Sequence, residues 1–216
     1  MDEPSALCYY RPVCNTYVLK PKRGAAGWHA RVSDDIAKLK SCLVRKSDPG
    51  VVVLADAQEI RPEIMRWGFW RAFNPSINNS RSDKLESVMW RDAFRERRCL
   101  IPVTAYFEWG EGTGGRKQAF EIGGVEEEWL WIAAIWESHP EHGPCYSMIT
   151  TAAAPSVGFI HDRMPAVLDW TGAEEYLAGG YFQFSPFAGP LSVTPCESPL
   201  ARRNPPGGSP EQISLL

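Results

Sequence analysis

The run of residues 97–110 constrains the fold of this chain more than any other stretch. From Leu100 onward the run is almost wholly apolar and aromatic, and it is rich in residues that favour β-structure. Gly110 closes it with a residue typical of turns. The run therefore predicts one largely buried strand.

One carboxylate interrupts this apolar run. Side chains alternate along a strand, so Glu108 shares a face with Thr104 and Tyr106 and lies beside aromatic rings at a strand end. A carboxyl group held away from water favours its protonated form, which suits a general acid. A glutamate paired with an arginine at the rim of a sheet explains the same pattern, and the run alone leaves both interpretations open.

The other periodic segments predict strands interrupted by a few helices. Residues 51–54 and 59–67 predict a hairpin, and further strands are predicted at 14–19, 119–122, 129–136, 145–151 and 166–168. Helices are predicted over 33–44, 83–97 and 171–177. Because strands predominate without the spacing of βαβ units, the predicted class is α+β with mainly antiparallel sheets.

Length and composition favour one ordinary globular domain. We expect this domain over residues 14–195, after an N-terminal extension over 1–13 and before a flexible tail over 196–216. Hydrophobic residues make up 44% of the chain, without a run long enough to cross a membrane. The acidic start at Met1 lacks the pattern of a signal peptide, so we expect a cytoplasmic monomer without membrane association.

The cysteines do not predict a disulfide framework or a metal centre. Six cysteines are scattered without a CxxC pair. The nearest approach to a metal site is residues 139–145, which contain His139, Glu141, His142 and Cys145. That segment lies in a turn rich in Pro and Gly and has no second ligand cluster, so a solvated loop explains it better. We expect neither a metal nor a cofactor.

Charge is distributed unevenly along the chain, whose net charge is -3. Residues 1–118 contain 20 Lys and Arg against 14 Asp and Glu, whereas residues 119–216 contain 3 against 12. The first part therefore has a charge of +6, as a surface that binds a polyanion requires. A chance distribution over a mixed surface is the alternative.

Three polar residues stand out beside apolar segments: Asn79, Glu108 and His161. Together with one of the cysteines, they could form the catalytic residues of a Cys/His/Asn hydrolase. Such residues occur together in most chains of this size, so this pattern alone is weak evidence. A histidine followed by Asp and Arg is more often a structural hydrogen-bonding residue than a catalyst.

Five segments, taken together and in this order, carry a resemblance to a known family. They are residues 13–17 (VCNTY), 66–68 (RWG), 79–83 (NSRSD), 98–109 (RCLIPVTAYFEW) and 149–165 (ITTAAAPSVGFIHDRMP). The chain resembles the SOS response-associated peptidase (SRAP) family over residues 14 to about 170. The resemblance implies a barrel-like core of mainly antiparallel sheets with a few flanking helices.

The resemblance also implies a function. Family members bind single-stranded DNA and form a covalent bond with an abasic site through a cysteine at the mature N-terminus, which corresponds to Cys14. Its α-amine forms a Schiff base with the sugar aldehyde, in a lyase-like step, and its sulfur then closes a thiazolidine. An α-amine suits this role because its pKa is about 8, whereas that of lysine is above 10.

Residue roles follow from the same resemblance. Asn79 is expected to orient the amine and the opened sugar, Glu108 to transfer protons, and His161 to assist ring opening. Arg81 and Arg163 are expected to hold phosphates, and Trp67 to stack on bases. The complete set of expected DNA contacts is Arg66, Trp67, Arg81 and Arg163.

The chain departs from the family pattern at its N-terminus and at three milder positions. Thr16, Ser80 and Asp83 stand where other residues are usual in the family. More seriously, thirteen residues precede Cys14, so its nitrogen is acylated.

Three explanations of the preceding residues remain. In the first, which we favour, translation starts at a GTG codon for Val13. In the second, Cys14 attacks the preceding peptide bond, which is the peptidase (hydrolase) activity of the family name. In the third, the leader stays. A cysteine peptidase acting on other proteins and a non-covalent single-strand-binding module are the alternative functions.

Overall fold

The fold is built from short strands that pair mostly in antiparallel fashion. A computed structural model describes residues 13–20, 32, 34–36, 42–55, 60–125 and 129–200. The strands of this part are β1 (Thr16–Leu19), β2 (Cys42–Arg45), β3 (Pro49–Ala55), β4 (Ile60–Trp67), β5 (Phe69–Arg71), β6 (Asn74–Ile77), β7 (Asn79–Arg81), β8 (Arg98–Val103), β9 (Ala105–Glu111), β10 (Lys117–Gly124), β11 (Leu130–His139), β12 (Gly143–Ala152), β13 (Arg163–Pro165), β14 (Val167–Leu168) and β15 (Leu191–Cys196). The α-helices with described bounds are α1 (Arg91–Glu96) and α2 (Trp170–Leu177), and residues 32 and 34–36 are also helical.

Five strands close into a barrel. Pairing runs from β12 to β4, β3, β8 and β11 and returns from β11 to β12, so the sheet closes on itself. The pairings of β12 with β4 and β7 are parallel, and the others in this sheet are antiparallel. The strands are buried on both faces: Val52 belongs to one core cluster, whereas Val51 and Val53 belong to another. Such two-sided burial explains their almost continuous apolar sequence.

A second sheet carries the residues on which the site depends. Its strand order is β15, β10, β9, β1 and β2. In this sheet Tyr17 of β1 lies opposite Tyr106 of β9, and Phe120 of β10 lies opposite Glu108 of β9. Residues directly opposite one another point to the same face of a sheet. The start of β1 therefore lies beside the middle of β9.

The predicted strand over 97–110 is two strands. β8 belongs to the barrel and β9 to the second sheet, with the break at Thr104. The backbone N–H of Thr104 donates to the carbonyl oxygen of Val18 at 2.8 Å, which fixes the bend. Burial of nearly every residue hides the break in the sequence, because the apolar run continues through it.

Two predicted helices differ from the observed elements. In place of a helix over 83–97, a 3₁₀ turn (Ser82–Lys84) and further turns lead into the short α1. Trp90 then packs on Phe69, with ring centroids 5.5 Å apart, whereas Val88 is exposed. Of the helix predicted over 33–44, residues 34–36 are helical, but the part from Cys42 onward is the strand β2.

The predicted fold class is confirmed: mainly antiparallel sheets form a barrel-like core with few helices around it. The hairpin predicted over 51–67 is the pair β3–β4, and the third predicted helix is α2. The side chain of Asp169 caps α2 by accepting the backbone N–H of Gly172. The predicted extension lies outside the described residues apart from Val13, as does the tail from residue 201. The described cysteines are all free. None of the helices in the described ranges is long and apolar enough to span a membrane.

Candidate active site

Cys14 lies buried just before the first strand. Its side chain has no exposed surface, and its thiol donates to the carbonyl oxygen of Thr16 at 3.5 Å. The backbone of Cys14 has φ +36°, a left-handed conformation that is unfavourable for a residue with a Cβ atom. Such a conformation costs about 1–3 kcal/mol and persists only where the surrounding structure holds it.

Glu108 contacts the backbone nitrogen of this cysteine. The N–H of Cys14 donates to Oε2 of Glu108 at 2.8 Å, and the N–H of Trp109 donates to Oε1 at 3.1 Å. Burial raises the pKa of Glu108, while the two N–H donors, and then His161 and Lys117, favour the charged form and lower it. The net shift is upward, so the carboxyl group can hold a proton closer to neutral pH than an exposed glutamate can.

Asn79 contacts the carbonyl groups on both sides of Cys14. Its side-chain amide donates to the carbonyl oxygens of Val13 and, at 3.3 Å, of Cys14. Asn79 begins β7, which pairs in parallel with β12 and is thereby fixed against the barrel. Its Oδ1 atom is buried and has no hydrogen-bond partner among the described residues, so it is available to a bound group.

The thiol of Cys14 is not activated in this state. Burial raises its pKa, and the neighbouring Glu108 carboxylate raises it further because it disfavours a second negative charge. The thiol is therefore protonated at neutral pH. Reaction of the sulfur requires that its proton be transferred as the new bond forms.

His161 follows a tight turn that ends at Ile160. Its Nδ1 accepts the backbone N–H of Arg163 at 3.0 Å and lies 2.8 Å from a carboxylate oxygen of Asp162. One nitrogen cannot serve both as acceptor and donor. We assign it as the acceptor, because the Arg163 N–H is fixed in the backbone, whereas the Asp162 side chain is 88% exposed. The proton of the neutral ring is then on Nε2, which is buried and has no partner within the described residues.

The two arginines predicted to hold phosphates lie close together. Arg81 forms a bidentate pair with Asp83 at 3.0 and 2.8 Å, and Arg163 lies 3.7 Å from the same carboxylate. Arg163 also donates to the carbonyl oxygen of Thr150 at 2.6 Å. The bidentate bond to Arg81 lowers the pKa of Asp83. Asp83 thus contacts both guanidinium groups, which brings the two positive charges close together.

The other two predicted DNA contacts have different surroundings. Arg66 donates to the carbonyl oxygens of Gly68 and Pro75 at 2.7 and 3.1 Å. Trp67 has no exposed surface, stacks on Tyr146, and donates from Nε1 to the carbonyl oxygen of Asn78 at 2.9 Å. The Trp67 ring therefore has no open face for a base in this structure.

The histidine-rich loop between β11 and β12 packs on an aromatic ring. The rings of His139 and His142 stack with their centroids 4.7 Å apart, and both rings lie near Trp70. Nδ1 of His139 accepts the backbone N–H groups of Glu141 and His142, which occupies that nitrogen within the turn. Over the described ranges, no three His, Cys, Asp or Glu residues form a group that could hold a metal ion.

Sequence reasoning missed three groups around Cys14. The Asn78 amide donates to Oδ1 of Asn15 at 2.9 Å and to the Cys14 carbonyl oxygen at 3.4 Å. The hydroxyl groups of Thr16 and Tyr106 are buried without partners in the described chain. Asn78 directly precedes Asn79, so the sequence could have suggested that both amides belong to the site. The positions of the two hydroxyl groups could not be predicted, because they depend on the pairing of β1 with β9.

The arrangement unites the nitrogen and sulfur of one cysteine with a carboxyl group and an amide. Glu108 contacts the nitrogen, and Asn79 contacts the carbonyl group that acylates it. A carboxyl group with a raised pKa can exchange protons with that nitrogen, and an amide N–H can polarise a carbonyl group beside it. These are the groups that acyl transfer and imine formation require.

The chain is similar in sequence to several named proteins. It is 29% identical over 153 residues to the abasic site processing protein YMR114C of Saccharomyces cerevisiae, and 30% identical over 154 residues to the abasic site processing protein HMCES of Gallus gallus. It is 28% identical over 134 residues to the abasic site processing protein YedK of Escherichia coli. These alignments cover 64%, 56% and 59% of this chain and 39%, 46% and 60% of the relatives, so the chain spans less than two thirds of each.

Solved structures and a family model complete the comparison. A protein of Bordetella bronchiseptica superimposes with a TM-score of 0.66 at 17% identity, over 86% of this chain and all of the other. One of Bacteroides thetaiotaomicron gives 0.63 at 19% identity, over 75% and 80%. At such low identities, these superpositions show a shared fold and nothing more. The family model described as SOS response associated peptidase (SRAP) matches residues 14–188, which is most of the chain. The chain therefore belongs to the SRAP family.

Proposed function

We propose that this protein binds single-stranded DNA and forms a covalent thiazolidine between Cys14 and an abasic site, as part of the response to DNA damage. The substrate is suggested by the names of the relatives, which are abasic site processing proteins. The observation that carries the proposal is the contact of the Cys14 nitrogen with Glu108 at 2.8 Å. It joins the reacting nitrogen to Glu108, the buried carboxyl group for which the sequence suggested a general acid as one of two interpretations.

The chemistry requires both reactive atoms of Cys14. The free α-amine adds to the aldehyde of the ring-opened sugar, and loss of one water molecule gives a Schiff base. The sulfur then adds to the imine carbon, and this new bond closes the five-membered ring. The thiol proton passes to the nitrogen. Glu108 carries protons to and from this nitrogen, since its raised pKa suits that exchange.

The remaining residues act on the sugar and on its phosphates. Nε2 of His161, which carries the proton of the neutral ring, donates to the ring oxygen of the sugar as it opens. The Asn79 amide orients the opened sugar. Arg81 and Arg163, held by Asp83, bind the phosphates beside the lesion.

The amine must first be released from the residues that precede it. In one route translation starts at a GTG codon for Val13, and removal of the initiator methionine exposes Cys14. In the other route the sulfur attacks the Val13 carbonyl carbon, the peptide C–N bond breaks, and the thiol proton passes to the nitrogen. Water then cleaves the resulting thioester. Three observations support this second route: the Asn79 amide on the Val13 carbonyl oxygen, Glu108 on the leaving nitrogen, and the strained φ of Cys14.

Peptidase action on other proteins fits the site less well. A peptidase acting in trans requires a thiolate, whereas burial and the neighbouring Glu108 raise the pKa of the Cys14 thiol. The hydrolase activity is accordingly confined to the protein's own leader. Release of a peptide from an unrelated protein would favour the alternative.

A single oligonucleotide with one abasic site tests the proposal. Protein that begins at Cys14 is expected to give a product that survives heat and detergent. Cys14→Ala retains the α-amine and loses only the sulfur, so it is expected to give an imine that survives only after borohydride reduction. An oligonucleotide without the lesion should give neither product.

Two results would contradict the proposal. A product of Cys14→Ala that survives heat without borohydride would show that the stable linkage does not depend on the sulfur. Salt-sensitive binding with no covalent product from the wild type would leave only a non-covalent binding module. The intact mass of the protein from its own cell reveals which residue comes first.

A further inference from the structure

A turn over residues 157–161 lies on the face of the second sheet that carries Glu108. Gly110 is two residues beyond Glu108 in β9 and therefore points to the same face. A Cβ atom added at Gly110 would lie 3.1 Å from the Cα atom of Ile160. The turn thus rests directly on β9, and backbone bonds from Ile160 and His161 to the carbonyl oxygen of Val157 hold its shape.

Phe159 projects from this turn into solvent. Its side chain is 65% exposed, while its neighbour Ile160 is buried. The Phe159 ring contacts Phe120 at an angle of 88°, with ring centroids 5.8 Å apart. Phe120 lies directly opposite Glu108 in the pairing of β9 with β10. An exposed aromatic ring is therefore fixed next to the residue that lies beside the carboxylate.

Its position distinguishes Phe159 from other exposed apolar side chains. Single exposed apolar residues are common and need no explanation. Phe159, however, is two residues before His161, and its supporting ring pairs with Glu108. Trp67, the aromatic residue that the sequence suggested for stacking, is wholly covered. Among the residues that the structure describes, Phe159 therefore provides exposed aromatic surface beside this site.

We propose that Phe159 stacks on the base next to the abasic sugar. This inference rests on the proposed function and adds how the lesion is recognised. A base beside an abasic sugar lacks its neighbour on one side, so one of its faces is open to a protein ring. Aromatic side chains bind single strands through such stacking without regard to sequence, because every base has a π-face. Arg163, two residues after His161, supplies positive charge for the adjoining phosphate.

Fluorescence of 2-aminopurine tests the inference. The base is placed directly 5′ or 3′ of the abasic site, and binding is measured with Cys14→Ala protein so that no thiazolidine forms. Binding is expected to quench the fluorescence in one of these positions. Adding Phe159→Ala should abolish the quenching and weaken Kd by about tenfold, whereas Phe159→Trp should retain both.

Two controls separate stacking from other effects. Tyr181→Ala removes another exposed aromatic ring, which follows α2, and should leave quenching and Kd unchanged. An oligonucleotide with abasic positions on both sides of the lesion offers no neighbouring base, and on it Phe159→Ala should bind as tightly as protein with Phe159.

The outcomes are distinct from those of the proposed function. Quenching that persists in Phe159→Ala would overturn the stacking role. So would equal Kd values of the proteins with and without Phe159 on the oligonucleotide that has neighbouring bases. A tenfold weaker Kd of Phe159→Ala on the oligonucleotide without neighbouring bases would overturn it as well. Absence of quenching with Phe159 present would overturn it as well. Failure of the proposed function is measured separately, as the lack of a covalent product from protein with Cys14.

Discussion

The backbone nitrogen of Cys14 donates a hydrogen bond to Oε2 of Glu108 at 2.8 Å, although 94 residues separate the two in sequence. The pairing of β1 with β9 creates this contact, because it sets Tyr17 opposite Tyr106 and brings the start of β1 to the middle of β9. The amide nitrogen that the proposed function requires as a free amine is thus already hydrogen-bonded to the Glu108 carboxyl group. Predictions about acid–base behaviour follow from this contact.

Glu108→Gln is expected to change the pH dependence of stability. Burial raises the pKa of Glu108 above its ordinary value of 4.5, so the folded state binds this proton more tightly than the unfolded state. The stabilising contribution of the bound proton is complete below pH 4.5 and is lost as pH rises through the folded pKa. Glutamine has no such proton. The free energy of unfolding of the wild type, relative to that of Glu108→Gln, should therefore fall as pH rises above 4.5.

Chemical denaturation of both proteins at several pH values measures this difference. The other carboxylates titrate alike in the two proteins and cancel in the comparison. Glutamine also alters the hydrogen bonds to the N–H groups of Cys14 and Trp109. That change shifts the free energy of unfolding by the same amount at every pH, so it does not affect the pH dependence. A difference that stays constant with pH, or grows in favour of the wild type, would refute the raised pKa.

Asn79→Ala is expected to preserve the leader of a chain expressed from Met1. The Asn79 amide contacts the carbonyl oxygen of Val13, where negative charge develops when the sulfur attacks. Loss of one such donor typically lowers a rate about 10²–10³-fold. Intact mass spectrometry during expression should find residues 1–13 retained in Asn79→Ala and removed in the wild type.

Asn78→Ala is the matched control for that experiment. Its amide contacts the carbonyl oxygen of Cys14 and the Asn15 side chain, and it has no bond to the Val13 carbonyl. Self-cleavage should continue in this variant. Equal retention of the leader in both variants would mean that the amides only support the local fold.

The sequence predicted these residues better than it predicted their setting. The alternation around Glu108 correctly indicated a buried carboxyl group, since that face of β9 packs in the core. The break at Thr104 was not predictable from the same run, because the residues on both sides of it are apolar and buried in two different sheets. Trp67 was assigned to DNA on the basis of resemblance, whereas its burial depends on long-range packing against Tyr17 and Tyr146.

Gly110→Ala is expected to slow crosslinking without removing any reactive group. The added methyl group would lie 3.1 Å from both Cα and Cγ2 of Ile160, closer than ordinary contact. The turn that carries His161 must then shift away from Glu108. Misplacement of a catalytic group by a fraction of an ångström lowers rates strongly, and we expect about a tenfold loss in single-turnover crosslinking.

Gly158→Ala adds the same methyl group to the same turn and serves as its control. There the new Cβ would lie 3.5 Å from the carbonyl oxygen of Ala154, which is ordinary contact. Its crosslinking rate should match that of the wild type. If Gly110→Ala also reacts at the wild-type rate, then the contact of the turn with β9 does not determine the rate of crosslinking.

Arg98 stabilises the fold at a distance from these groups. Its guanidinium group is buried and donates to the carbonyl oxygens of Phe94, Tyr176 and Gly180, near the ends of α1 and α2. It also lies over the Phe94 ring, 4.5 Å from the centroid. A cation is favourable at a helix C-terminus, where carbonyl groups lack partners. Arg98→Ala leaves those carbonyl groups unpaired, so we expect a loss of about 3 kcal/mol in the free energy of unfolding.

Arg98→Lys separates the charge from the geometry of this contact. Lysine keeps the positive charge, but a single ammonium group does not reproduce the planar fork that reaches three carbonyl oxygens. We therefore expect a loss intermediate between those of the wild type and Arg98→Ala, measured by chemical denaturation. Crosslinking by the folded fraction should be unchanged in both variants, because Phe94 and Tyr176 belong to a core cluster different from that of Cys14. A lysine variant as stable as the wild type would assign the stabilisation to charge alone.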